Sequence, residues 1–572
     1  MTASSVSVAL TGSGGSGVMT AGAMLLEAAA QAGWYACMTR SLGPQIRGGE
    51  AAAMLRFSAT PVESHGDRFD ALLAIDWGNA ARFADEIPLD GESLTLGDPK
   101  AGEIPEAIRA MGAHHADLAL VQTAKRIGGG RPNMVALGVI AALLEIPDPA
   151  LARTLERVLA RKGPDAIEAS RAAVAAGQVL ARDLPALPKL PALGETSRDG
   201  RWQISGNEAV GLGALRGGVR FVAAYPITPA TEVLEWLAPR LQQVGGVLVQ
   251  AEDELASINQ IIGASFGGVP SLTATSGPGL ALMTEGIGLA VGSETPVVVV
   301  DVMRGGPSTG IPTKSEQTDL NIALYGLHGD APHLVVAPNS VADCLFTAQW
   351  ATHLAESLQT AAILLSDQAL GQTRAVLPRP ATAHFEGGRK TMERIDGEYL
   401  RYATNASGVS PMSLPGVAGG HYTADGLEHN PHGTPSSLAR DHIAQLDKRR
   451  DKLLGYDYGE HWAQIEGDGS TAIVTWGSST AAAREALTEL AADGHHCRLI
   501  SLRLLSPTLP EKMDEALAGV TRLLVVEQSH DGQFHRYLRA HYDLPAEVRS
   551  FCRPGPLPMR AIDIRRSLQE WS

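Results

Sequence analysis

Short apolar, β-branched runs recur along the chain, each closed by a turn and followed by a stretch of helical character. "VRFVAA", "GGVLVQA", "SLTATS", "PVVVVDV", "HLVVAP" and "AAILLSD" follow one another in this way. Runs without polar alternation are strands covered on both faces, the condition of a parallel sheet between helices. The same rhythm opens the chain, where "SVSVALTG" leads through a glycine-rich turn into "VMTAGAMLLEAAAQAG". It returns at "TAIVTWGSSTAAAREALTELAADGHHCRLISL" and "RLLVVEQ". With 572 residues, 44% of them hydrophobic, the pattern predicts an α/β protein of three parallel-sheet domains. Residues 1–190 form the first, 201–380 the second and 466–572 the third. Residues 381–465 lose the rhythm and read as an irregular connecting segment, ending in the polar helix "SSLARDHIAQLDKRRDKLL". "DLPALPKLPALGETSRDG" (183–200) is the linker candidate.

Composition narrows the functional classes. The four cysteines, Cys37, Cys344, Cys497 and Cys552, are scattered without a CxxC or metal spacing. That is the pattern of free thiols in a reducing compartment, and it cannot hold an iron–sulfur cluster. A net charge of −15 argues against nucleic-acid binding. No apolar run approaches the roughly 18–20 residues of a membrane span. The beginning "MTASSVSVALTGSGG" lacks the basic head of a signal peptide. A soluble, cytoplasmic protein is expected.

"TGSGGSGV" fits G-x-G-x-x-G through Gly12, Gly14 and Gly17, with Ser13 and Gly15 between them. Such a turn presents backbone amides and a helix N-terminus to a phosphate, although the motif alone is weak and a mere tight turn is the alternative. A nicotinamide dinucleotide site would want a carboxylate at the end of the next strand. That strand, "WYACMTRS", has none, which leaves NADP or coenzyme A. "SLGPQIRGGE" would bring Ser41 and Arg47 to the same cleft. An NADP-dependent dehydrogenase and a non-catalytic coenzyme A-binding regulatory protein are both open on these residues.

Two further stretches carry chemistry. In "AYPITPATEV" neither proline can continue a sheet, and Thr228 is placed to cap a helix with Pro229 at its first position. The same loop is placed to meet a ligand at the carboxyl ends of strands. In "QAEDELASI", Glu252, Asp253 and Glu254 suit an acidic first helical turn.

Taken together, "TGSGGSGV…SLGPQIRGGEAAAMLRFS" resembles the γ unit of the 2-oxoacid:ferredoxin oxidoreductases. "YPITPATEV…QAEDELASINQ…TATSGPG…VMRGGPSTGIPTKSEQTDL" resembles their α unit, and the last stretch their transketolase C-terminal-like domain. The γ-then-α order and "IDGEYLRYATNASGVSPMSLPG" resemble the large subunit of the 2-oxoglutarate-acting members, the 2-oxoglutarate synthases. The resemblance implies thiamine diphosphate chemistry: a 2-oxo acid and coenzyme A give an acyl-CoA, CO₂ and two electrons for ferredoxin, with the reverse direction fixing carbon. It makes Glu254 the carboxyl group that protonates the cofactor's aminopyrimidine ring. Thr228, Arg304 and Thr313 fall at its substrate-contacting positions, Thr228 and Arg304 with catalytic roles. Tyr225, Ile227, Ser276 and Gly277 fall on the cofactor wall. Gly12, Ser13, Gly14, Gly15, Gly17, Ser41 and Arg47 are the coenzyme A candidates. A cation gripping the departing carboxylate would stabilise the ground state, so Arg304 either holds it loosely or reads the other carboxylate. "EGDGS" offers a G-D-G, but no asparagine follows it, and it reads as a turn. No metal ligand is therefore assigned to this chain. Mg²⁺ and a [4Fe-4S] cluster are expected on a partner β subunit, which would also meet ferredoxin, in an (αβ)₂ assembly. Pyruvate, branched-chain 2-oxo acids and indolepyruvate are the alternative substrates.

Overall fold

A computed structural model describes residues 3–43, 49–191, 200–385, 387–555 and 557–571, and the chain divides into two compact units. The first unit takes residues up to Ser205 together with Gln372–Pro380 and Leu557–Asp563. Strands are numbered along the chain. The first unit holds β1 (Ser5–Gly12), β2 (Tyr35–Leu42), β3 (Ala51–Ser58), β4 (Ala71–Ala74), β5 (Leu94–Gly97), β6 (His114–Asp117), β7 (Arg201–Ser205) and β14 (Arg374–Pro378). Their order in one sheet is β6-β5-β4-β1-β3-β2-β14-β7.

This sheet corrects the expectation of an all-parallel first domain. β1, β4, β5 and β6 are parallel, whereas β3 is antiparallel to both β1 and β2, and β14 to both β2 and β7. "AAAMLRFS" is the missed strand: it inserts between β1 and β2, antiparallel to both, so the parallel strands joined by the helix after the glycine turn are not neighbours and the βαβ unit is split. Strands β7 and β14, read as parts of the second domain, close this sheet instead. The linker candidate is also partly structured. Ala3 N–H donates to Lys189 O at 2.9 Å, Trp34 Nε1 donates to Pro191 O at 3.2 Å, and Leu187 is buried. Residues 192–199 lie outside the described residues. Helices Val18–Gln31, Pro132–Leu143 and Pro164–Leu180 belong to the larger apolar core, while Phe69, Trp77 and Phe83 build a second one.

The second unit carries two large sheets. The larger contains β8 (Phe221–Ala224), β9 (Val247–Gln250), β10 (Ser271–Thr275), β11 (Val297–Met303), β12 (Leu334–Val336), β13 (Ala361–Asp367) and β20 (Leu504–Ser506). Its order is β20-β12-β13-β11-β10-β8-β9, parallel except at β20. The smaller is β17 (Ala463–Gly467), β19 (Arg498–Leu502), β18 (Thr471–Trp476), β21 (Arg522–Glu527) and β22 (Glu547–Cys552), parallel except for β17. Gly467, Asp468 and Gly469 form the turn between β17 and β18, with both glycines at positive φ. The sheets are joined by the buried Arg503–Asp343 ion pair at 2.8 Å and by Gly477 N–H on Asn339 Oδ1.

The connecting segment is largely irregular, with one short parallel pair, β15 (Thr391–Met392) and β16 (Met412–Ser413). Its closing helix, Ala439–Leu454, is polar for an unexpected reason. Lys448 and Lys452 are buried on fully buried Glu294, Lys452 Nζ lying 2.9 Å from Oε2, and Arg401 donates to Glu294 O at 2.8 Å. The charge faces inward, paired. Among the described residues, no helix is long and apolar enough to cross a membrane.

Candidate active site

Four neighbouring strands of the larger sheet, β11, β10, β8 and β9, run parallel and end on one edge. Each delivers a predicted site residue just past its carboxyl end. Tyr225 to Thr228 follow β8, Glu254 follows β9, Ser276 and Gly277 follow β10, and Arg304 follows β11. The carboxyl edge of a parallel sheet is where such folds bind ligands, since chain reversals leave a crevice there.

The acidic triplet after β9 separates by role. Asp253 is the N-cap of the Glu254–Phe266 helix, its carboxylate accepting from Ala256 N at 2.7 Å. Glu252 and Asp253 are exposed, but Glu254 is buried. Its side chain packs on the first turn of the Gly277–Gly292 helix. A Cβ at Gly279 would stand 2.7 Å from Glu254 Oε1 and 2.0 Å from Thr275 Oγ1, so only glycine fits. The macrodipole explains Asp253 and not Glu254, which is buried just past the end of β9.

Thr228 does not cap a helix. The helix runs Thr231–Leu241 with Ala230 as an uncapped N-cap, because the chain turns once more after the cis Thr228–Pro229 peptide. The backbone carbonyl of Thr228 instead accepts from Arg304 Nη1 at 2.6 Å, tying the β8 loop to the end of β11. Tyr225 is exposed, while Ile227 and Thr228 are half-buried. Asn207, which motif reading left without a role, supports the loop by donating to Pro229 O at 3.2 Å.

The chain beyond β11 folds back on itself. Gly305 N–H donates to Lys314 O at 2.9 Å and Ile311 N–H to Gly305 O at 2.7 Å, which brings Thr313 back toward the strand end. The β18–β22 domain pins this loop. Gln317 Nε2 donates to Trp476 O and Gln533 Nε2 to Thr318 O, at 2.8 and 2.9 Å. Neither glutamine was singled out, since both partners are distant in sequence. Several buried polar atoms along this edge have no protein partner: Ser276 Oγ, Arg304 Nε and Thr313 Oγ1. Buried polar groups are normally satisfied, and these three stand where a polar ligand could meet them. The buried Glu254 carboxyl suits a partly basic ring. Two surface cavities of about 350 and 370 Å³ in the second unit share none of these residues.

In the first unit the glycine turn departs from the phosphate template. β1's parallel neighbour is β4, and Asp76 just past β4 takes Ser13 N–H and Ser13 Oγ at 2.7 Å each. Ser13 is therefore already engaged, and the carboxylate sought at the end of β2 is at the end of β4. Ser41 is buried, its hydroxyl donating to Glu86 at 3.1 Å, which removes it from the phosphate contacts. Gly15 and Gly17 have φ of 83° and 88°, and a Cβ on Gly17 would strike Asn133, so these glycines are required by the turn itself. Register preserves the rest of the idea. Gly12 and Leu42 both lie opposite Ala51, so the glycine turn and the mouth of the β2–β3 hairpin share one end of the sheet. Arg47 lies outside the described residues.

Comparison with known proteins agrees with this architecture. Residues 7–178 match the family model for pyruvate ferredoxin/flavodoxin oxidoreductase, and residues 212–448 that for the thiamine diphosphate-binding part of pyruvate flavodoxin/ferredoxin oxidoreductase. Residues 439–554 match the transketolase C-terminal domain. The chain is thus built as an oxidoreductase of thiamine diphosphate-binding type. It is 33% identical over 445 residues to the 2-oxoacid:ferredoxin oxidoreductase subunit alpha of Saccharolobus solfataricus, covering 74% of this chain and 69% of that one. It is 30% identical over 530 residues to the 2-oxoglutarate oxidoreductase subunit KorA of Mycobacterium tuberculosis, covering 86% and 80%. The 2-oxoglutarate:ferredoxin oxidoreductase of Magnetococcus marinus, solved with 2-oxoglutarate, coenzyme A and succinyl-CoA bound, superposes with a TM-score of 0.90 at 35% identity, over 99% of both chains. The chain belongs to the 2-oxoacid:ferredoxin oxidoreductase family, as its large subunit with the γ and α units fused.

Proposed function

We propose that this chain, with a β subunit, interconverts 2-oxoglutarate, coenzyme A and oxidised ferredoxin with succinyl-CoA, CO₂ and reduced ferredoxin. The observation that carries this reading is the convergence of Glu254, Ser276, Thr228 and Arg304 from four neighbouring strand ends, in a chain matched along its whole length by an enzyme solved with those substrates. Bound thiamine diphosphate would supply the nucleophilic carbon and the electron sink that let a 2-oxo acid lose CO₂. Glu254 would hold a proton against its aminopyrimidine ring, with Ser276, Gly277, Tyr225 and Ile227 as the adjoining wall. Arg304, Thr313 and Thr228 would orient a substrate carboxylate. The β subunit would hold Mg²⁺ and the iron–sulfur cluster and would meet ferredoxin in an (αβ)₂ assembly, since the four cysteines here lie singly. The amides of Gly12, Gly14, Gly15 and Gly17, with Arg47, would receive coenzyme A phosphates.

The test is anaerobic co-purification with the β subunit, followed by viologen-dye reduction with a panel of 2-oxo acids and coenzyme A. The expected result is preference for 2-oxoglutarate and no turnover by this chain alone. Preference for pyruvate would overturn the substrate assignment, and dye reduction by a brown preparation of this chain alone would overturn the division of labour.

A further inference from the structure

Behind Arg304 stands a feature that the proposed reaction does not use. Asp301 lies on the otherwise apolar β11 and is fully buried, and neither of its carboxylate oxygens receives an N–H or hydroxyl donor. Its hydrogen-bonding neighbour is another carboxyl group, that of Asp319. Asp319 presses on the start of the Gly277–Gly292 helix, where a Cβ at Gly277 would stand 2.6 Å from both its oxygens. Two carboxylates cannot hydrogen-bond unless a proton lies between them. Both groups act through charge on Arg304, whose Nη1 is committed to Thr228 O. Glu316 is the further charged group facing Asp319. With one shared proton the pair carries one negative charge against the single positive charge of Arg304.

We propose that the Asp301–Asp319 pair, holding one proton between its carboxyl groups, is a positioning device that sets how firmly Arg304 grips a 2-oxo acid carboxylate. The inference rests on the reading of Arg304 given above, and it answers the difficulty a bare cation poses there. An unbalanced guanidinium would hold the departing carboxylate too well in the ground state. Balanced by the pair, it orients the carboxylate by hydrogen bonding with little net charge. The proton count has consequences for pH. Burial pushes Asp319 up to about 6, and burial together with the Asp319 charge pushes Asp301 well above the usual carboxylate range. As pH falls through about 6, Asp319 takes up a proton and the pair loses its negative charge.

The experiment uses the complex with the β subunit and reads kcat and KM for 2-oxoglutarate across pH. In the double variant Asp301→Asn, Asp319→Asn the pair is neutral at every pH. KM and kcat should both fall about tenfold with kcat/KM little changed, a split that general loss of structure does not give. In the wild type KM should fall as pH drops through about 6, and the double variant should lack that step. Asp319→Asn alone supplies an amide N–H in place of the shared proton and keeps the single charge. It should hold neutral-pH KM and kcat within about twofold and displace the step by at least about one pH unit. If both variants keep the wild-type KM, kcat and pH profile while Arg304→Ala raises KM, the pair is structural and the inference fails. If Arg304→Ala leaves KM unchanged, the reading of Arg304 fails first.

Discussion

Substituting Gly279 by alanine adds one methyl group between the proposed proton donor and its surroundings. The new Cβ would stand 2.0 Å from Thr275 Oγ1 and 2.7 Å from both Cγ and Oε1 of Glu254. Carbon–oxygen contacts rarely fall below about 3.0–3.4 Å, so Thr275 Oγ1 must retreat by about an ångström or more and the Glu254 side chain by about 0.3–0.7 Å. Misplacing a catalytic group by about 1 Å can cost about 10²-fold in rate. Overpacking of this kind costs about 1–3 kcal/mol in stability. Gly288 on the same helix is the control: a Cβ there meets nothing within 4 Å. Gly288→Ala should stabilise the chain by about 0.5–1 kcal/mol through helix propensity alone. The assay pairs thermal unfolding of this chain with viologen-dye reduction by the complex at saturating cofactor. The expected result is a folded Gly279→Ala protein with kcat down about 10²-fold, beside a fully active Gly288→Ala protein. A destabilised Gly279→Ala protein with undiminished kcat would refute the placement of Glu254 against the reacting groups.

Glu254→Gln should keep the fold and lower kcat about 10²-fold or more, read in the same dye assay, because an amide cannot supply the proton. Arg47→Ala should raise KM for coenzyme A and leave KM for the 2-oxo acid unchanged; the reverse pattern would remove the coenzyme A assignment. Glu294→Gln should destabilise the chain by about 3–5 kcal/mol in denaturant unfolding, since it strands the buried Lys448 and Lys452 charges. The two lysines hold Glu294 well below the usual carboxylate range, so its contribution is present above the unfolded value of 4.5 and is lost as pH falls below it. The wild type should accordingly lose more stability than Glu294→Gln as the solution is acidified below pH 4.5.

The residues at the carboxyl edge were legible because their signals are local. "YPITP", "AEDELASI" and "VMRGG" each put an unusual residue at the end of an apolar run, and such an end in a parallel sheet faces a crevice. Where reading failed, the competing cause was non-local. Thr228 has the chemistry of an N-cap, but the chain makes one more turn before the Thr231–Leu241 helix begins. The glycine turn has the spacing of a βαβ fingerprint, yet β3 slips between β1 and β2, and Asp76 from β4 takes the Ser13 amide. Nothing in "TGSGGSGV" discloses a hairpin some 40 residues on. "PVVVVDVM" did contain a usable sign: one acid in a run meant to be buried on both faces must have a partner. Only the fold names that partner as Asp319.

The cost of leaving these groups in place bears on what the edge is for. Ser276 Oγ, Arg304 Nε and Thr313 Oγ1 are buried without protein partners, and each such atom costs about 1–3 kcal/mol relative to a satisfied one. A core selected for stability alone would replace them with apolar groups of similar size. Instead the surrounding structure is made firm: Gln317 ties the loop after β11 to the neighbouring domain, Gln533 reaches that loop from the same domain, and Asn207 holds the loop after β8. Firm supports around unsatisfied groups are the arrangement that favours a ligand, because its oxygens meet donors already desolvated and oriented. The same reasoning separates this edge from the Glu294 cluster. There both lysines meet the Glu294 carboxylate and Arg401 its backbone carbonyl, and the role is structural.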